Sequence, residues 1–128
     1  STSRGLGDVY KRQVYKVVEV DGHPVAKRSS SKKSLGAAKR GYRSYRSTGT
    51  AVEEIVTPFH AEQPEPSSPR LSVREITTPL MRDGQVVDGL PNLEESRAYV
   101  AEALVSLPWE GLALSRDEPA LNTRFVGF

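Results

Sequence analysis

The stretch Val14-Tyr15-Lys16-Val17-Val18-Glu19-Val20-Asp21-Gly22-His23-Pro24-Val25-Ala26-Lys27-Arg28 decides how the chain is read. Its first seven residues are rich in β-branched side chains, which pack well on a pleated surface, so a strand is expected there. Asp21-Gly22 supplies two residues that tolerate positive φ, as a two-residue hairpin turn requires. His23–Arg28 is then the return strand. Pro24 has no N–H to give a ladder, so it belongs at an edge or strand end.

Working outward, Ser29–Ser47 is basic: S-S-S-K-K-S-L-G-A-A-K-R-G-Y-R-S-Y-R-S. Lys39–Arg46 places Tyr42 and Tyr45 among positive charges and is expected to form another strand. Thr50–Phe59 carries Val52, Ile55 and Val56 and reads as a strand as well. Three prolines in Ala61–Arg70 deny that segment both helix and ladder, so it reads as a linker. Leu71–Met81 is extended, Asp83-Gly84 is a second turn signal, and Gln85–Asp88 returns. A helix is specified over 92–107. Asn92 is a candidate N-cap, Glu95 completes a capping box three residues on, and Pro108 ends the helix. Leu93, Val100, Leu104 and Leu107 fall on one face of it. The tail lacks periodicity, and its Leu112, Leu114, Leu121, Phe125 and Phe128 are expected to dock. The fold class is α+β, with β-hairpins, short strands and one C-terminal helix. Its expected parts are 14–60, a linker at 61–70, and 71–128.

Residues 1–13 stand apart. Ser3–Gln13, S-R-G-L-G-D-V-Y-K-R-Q, matches one frame of a transposase-type sequencing adapter over eleven residues. It is read as an artefact and set aside, and the leading Ser1 leads us to expect sequence missing upstream. The segment holds Arg4, Lys11 and Arg12 against Asp8, so without it the formal net charge of +2 falls to zero. The rest is polarised. Residues 14–46 have nine Lys/Arg against two acids, and 47–128 have six Arg against thirteen acids. Opposite halves of this kind suit internal pairing, or an anion facing the first half.

With 128 residues there is room for one domain, and 37% apolar content is lean for a self-sufficient core. No cysteine is present, so disulfides and thiolate metal sites are excluded, and a reducing cytoplasm is the expected compartment. No apolar run is long enough to span a bilayer.

A search for chemistry returns no catalytic residue. His23 and His60 have no evident partners, and no metal site is expected. No phosphate-binding glycine loop and no nucleophile elbow is present. Glu53-Glu54 and Glu94-Glu95 are adjacent in sequence, so each pair points two ways and reads as solvated surface. The basic stretch, with its interleaved tyrosines, has three readings. It contacts nucleic-acid phosphates, approaches a phosphorylated small molecule, or pairs with acids elsewhere in the fold. A small RNA-associated module and a standalone structural domain are therefore the competing functions.

Tyr15–Lys27, with Lys33, Ser34, Gly36, Lys39 and Arg43 downstream, resembles a segment near the C-terminus of nicotinate phosphoribosyltransferases. Pro79-Leu80-Met81-Arg82-Asp83-Gly84 and Leu90-Pro91-Asn92-Leu93-Glu94-Glu95-Ser96-Arg97 follow in that family's order. The similarity covers about residues 14–110 and is weakest at 61–70. The chain departs from the pattern at Leu35-Gly36, where many members have Pro-Gly. The resemblance implies an enzyme of NAD biosynthesis, a cytoplasmic, ligase-like glycosyltransferase that joins nicotinate to phosphoribosyl pyrophosphate with ATP hydrolysis and Mg. It implies the smaller lobe of an α/β type II phosphoribosyltransferase, a homodimeric parent, and the missing N-terminal portion as this chain's partner. The family's catalytic residues lie upstream of the match, so this chain is expected to be inactive alone, with nucleic acid and membrane not among its partners. Lys32, Lys33, Lys39 and Arg43 are expected to add to the positive field that meets the substrate phosphates.

Overall fold

The computed structural model describes residues 16–27, 34–112 and 119–128. They divide between two compact units, 1–38 and 39–128.

In the first unit, β1 (Glu19–Val20) pairs antiparallel with β2 (His23–Pro24). Asp21 and Gly22 have φ of 48° and 77°, the paired positive values of a type I′ turn. The ladder is only two residues per strand, shorter than the apolar run suggests, and Val14 and Tyr15 lie outside the described residues. The Val18 carbonyl accepts from Val25 N at 2.9 Å and from Ala37 N at 2.6 Å, which lays residues 36–38 against the hairpin. Ala38 N donates to the Glu19 carboxylate at 2.9 Å. Gly36 is required there because a Cβ would sit 2.9 Å from both the N and O of Val25.

The second unit is built on a four-stranded sheet in the order β5 (Ser72–Glu75), β3 (Lys39–Tyr45), β4 (Ala51–Pro58), β8 (Asn122–Phe125). β3 (Lys39–Tyr45) and β4 (Ala51–Pro58) form its antiparallel centre, with Tyr42 opposite Ile55 and Ser44 opposite Glu53. Strict alternation in β4 sends Ala51, Glu53, Ile55 and Thr57 into the protein, and Tyr42 and Ser44 of β3 join them. Leu121 completes the small apolar core among the described residues. β5 (Ser72–Glu75) flanks β3, and β8 (Asn122–Phe125) runs parallel to β4 with Ile55 opposite Arg124.

That parallel strand was not expected from the tail's sequence. Leu121 is buried, as the expected docking of the tail requires, whereas Phe125 and Phe128 meet edge to face at 5.9 Å and stay about half exposed; Leu114 lies outside the described residues. The proline-rich segment 61–70 has no regular structure, yet it does not hang free. Pro64 is buried, Ser67 N donates to the Glu53 carboxylate at 2.9 Å, and the Glu65 carbonyl accepts from Arg124 at 2.8 Å.

A second tight hairpin joins β6 (Met81–Arg82) to β7 (Gln85–Val86) through Asp83 and Gly84, again with both φ positive. The single helix, α1 (Leu93–Ser106), starts where its capping signals place it. Asn92 Oδ1 accepts from Glu95 N at 3.0 Å, and the Glu95 carboxylate accepts from Asn92 N at 2.8 Å. Helical pairing ends at Leu107, and a 3-10 turn follows at Trp109–Leu112. No residue of α1 is buried, so Leu93, Val100 and Leu104 stay exposed, although their spacing suits a core-facing stripe.

Candidate functional site around the charged strand

β3 carries the charge that drew attention in the sequence, and β-alternation divides its side chains between two faces. Lys39 and Arg43 share the face opposite to Tyr42 and Ser44, with Gly41 between them. Arg43 Nη2 donates to Glu54 Oε1 at 2.6 Å, a charge-assisted contact between cross-strand neighbours. Desolvation works against the Arg43 charge, but Glu54, and after it Tyr45, outweigh burial and raise its pKa. Arg40 lies 4.7 Å from the Phe59 ring centroid and 3.7 Å from the Glu75 carboxylate. The basic strand thus has acids on both of its neighbours, as internal pairing of the two charge-polarised halves requires.

Of the four residues expected to form the phosphate field, the structure places two. Arg43 is engaged with Glu54, and Lys39 has its Nζ 6.0 Å from the centroid of Phe128. Lys32 and Lys33 lie outside the described residues.

One expectation is corrected outright: the Glu53-Glu54 pair is not solvated surface. Adjacent strand residues do point to opposite faces, as read, but both faces are furnished. Glu54 holds Arg43. Glu53 is only 8% exposed and accepts from Ser67 N and from Arg124 Nε at 3.2 Å, with Ser44 Oγ at 3.4 Å. Burial opposes its charge, yet the Ser67 amide and the Arg124 guanidinium outweigh that and hold the carboxyl below its ordinary 4.5.

The cluster ties strand, tail and proline-rich segment together. It is structural in character, because every oxygen of Glu53 is spent inside the protein. His23 and His60 are exposed, and His60 packs its ring edge to face against Phe59. Among the described residues no group of three or more His, Cys, Asp or Glu could hold a metal ion.

A groove of about 460 Å³ opens between the β3–β5 edge and α1, lined by Tyr45, Arg46, Ser72, Arg74 and Tyr99 among others. Arg74 Nη2 donates to Tyr45 Oη at 2.8 Å, with its guanidinium 4.9 Å from the Tyr45 ring centroid. Arg74 was not singled out from the sequence. Only the β3–β5 register, with Arg43 opposite Arg74 and Tyr45 opposite Ser72, brings it beside Tyr45, and no local signal encodes that pairing.

Taken together, a small mixed sheet, one capped helix and charges consumed by internal pairing define an α+β segment without a catalytic constellation among its described residues. The chain is 45% identical over 122 residues to the nicotinate phosphoribosyltransferase pncB1 of Mycobacterium tuberculosis strain H37Rv, and equally to that of strain CDC 1551. The match takes in 95% of this chain and 26% of each relative, so the chain spans about a quarter of the length of the curated proteins it matches. No protein-family model matches the chain. No solved structure matches it. No helix among the described residues is long and apolar enough to cross a membrane.

Proposed function

We propose that the chain is the C-terminal portion of a nicotinate phosphoribosyltransferase, the ATP-coupled, ligase-like enzyme that makes nicotinate mononucleotide for NAD biosynthesis. The observation that carries this is the 45% identity across 95% of the chain to proteins of which it spans only 26%. On this reading the chain belongs to the smaller lobe of a type II phosphoribosyltransferase. Nicotinate, phosphoribosyl pyrophosphate, ATP and Mg bind the complete, cytoplasmic, homodimeric enzyme, and the catalytic residues lie in its other part. The RNA-module alternative loses ground because Arg40 and Arg43, two of the cations it needs, face Glu75 and Glu54.

Sequencing the source locus across the codon for Val14 tests the reading. An open frame that continues upstream and encodes an enzyme converting nicotinate, where the 128 residues alone do not, is the expected result. A start codon near Val14 with nothing related before it would sink it.

Within this reading Lys32, Lys33 and Lys39 contribute a positive field toward the substrate phosphates, with the share of Arg43 reduced by its pairing with Glu54. Lys32→Gln with Lys33→Gln in the complete enzyme should raise KM for phosphoribosyl pyrophosphate at low salt and leave kcat unchanged. A KM that does not move at any ionic strength removes the field from the account.

A further inference from the structure

Helix α1 turns its less apolar side toward the sheet. Tyr99, Glu102, Ala103 and Ser106 line the groove against β3 and β5. At 100° per residue, Leu93, Val100 and Leu104 form a stripe about a quarter-turn or more away from that side. They and their neighbour Val105 stay in the open, with Val100 55%, Leu104 51% and Val105 85% exposed. Across 98–105 the apolar residues Ala98, Val100, Ala101, Leu104 and Val105 are exposed, with the exposed Glu102 at the border where Ala101 and Val105 line a hollow beside Thr48–Thr50. Glu94 and Arg97, one turn earlier on this side, pair with each other at 3.0 Å. Trp109, just past the helix, is 84% exposed.

The sheet beneath offers Tyr45, Arg46, Ser72 and Arg74, so rolling the helix inward would press the stripe against charge rather than bury it. A contiguous apolar face of this kind marks a surface that another body covers.

We propose that this outward face of α1, centred on Val100, Leu104 and Val105, docks against the polypeptide of the same protein that lies outside these 128 residues. The inference rests on the reading under Proposed function and specifies the surface through which the segment joins its enzyme. Size decides between the two natural occupants. A stable pair of separate chains needs about 20–30 residues a side, far more than one helical stripe provides. An intramolecular contact needs much less, because the linked chain holds the partner at an effective concentration on the order of millimolar. The relatives supply such polypeptide, since this chain spans 26% of their length.

The chain has no cysteine, so one introduced thiol reports one position. Leu104→Cys and Val105→Cys, with Glu62→Cys as the exposed control, would be made both in the 128-residue chain and in the complete polypeptide. Maleimide labelling of the tryptic peptide is then followed by mass spectrometry. Docking predicts labelling at 104 and 105 at least about tenfold slower in the complete polypeptide than in the chain. The slowing should not depend on protein concentration, and position 62 should label alike in both. Equal rates at 104 and 105 overturn the proposal. Protection that grows with concentration assigns the face to a second copy and overturns it too. A locus without a continuing frame defeats the enzyme reading itself, and with it the docking, before any labelling is done. A continuing frame with unprotected thiols defeats the docking alone.

Discussion

Glu53 accepts from three segments far apart in sequence: Ser44 on β3, Ser67 in the proline-rich segment, and Arg124 on β8. Glu53→Gln keeps the volume but halves the acceptor capacity and removes the charge. It should cost about 1–3 kcal/mol, the usual range for losing hydrogen bonds to a buried ionised group. The shift in urea midpoint of the β4 amides measures it. The pH dependence follows in sign. The folded carboxyl is held below its ordinary 4.5, so its contribution is complete above that value and disappears as pH falls through the folded one. At neutral pH the variant should be the less stable form, and in acid the two should converge. An undiminished gap in acid would mean that the charge is not what binds the three segments. Nothing local in the sequence could have shown this. Glu53 and Glu54 look alike beside each other, and the partner that makes Glu53 interior arrives from 71 residues away.

Among the elements, the best-signalled helix is the least buried, while the central hairpin holds the core. Every α1 residue is at least partly open to solvent, whereas Tyr42, Ile55 and Thr57 of β3 and β4 are almost wholly enclosed. Amides at the centre of β3 and β4 should therefore exchange slowest with deuterium, and those of α1 near the limit set by its own helix–coil equilibrium. Because packing adds so little to α1, its cap should matter more than usual. Asn92→Ala should cost about 1 kcal/mol and visibly lower far-UV helicity in the isolated chain. Unchanged helicity would mean that an unrecognised contact holds the helix.

The elements that were legible in sequence are those coded by neighbours. The capping box and both Asp-Gly turns each rest on residues within four positions. β8 was missed because Asn122–Phe125 is four residues with no alternation to read, and becomes a strand only through parallel pairing with β4. The outward stripe of α1 shows the converse. Its periodicity was plain in the sequence, but which body it faces is set by the polar sheet below it.

At the scale of the whole molecule, the charge balance decides what the chain attracts. The excess positive charge resides in residues 1–13, and the remainder is neutral, with Arg40 and Arg43 facing acids on neighbouring strands. Any affinity for RNA should then be a property of Arg4, Lys11 and Arg12 rather than of the fold. Nucleic-acid affinity falls with salt in proportion to the phosphates neutralised, so on a single strand three cations give at most a shallow slope of about −2. Deleting residues 1–13 should abolish even that, measured by fluorescence anisotropy of a labelled single strand between low and physiological salt. If the deletion leaves affinity and slope intact, the cations of residues 14–46 bind the phosphates, and loss of that binding in Arg40→Gln with Arg43→Gln would assign it to β3. In that case the internal pairing seen on β3 would be a competitor of nucleic acid, and the enzyme-segment reading would no longer account for the basic strand.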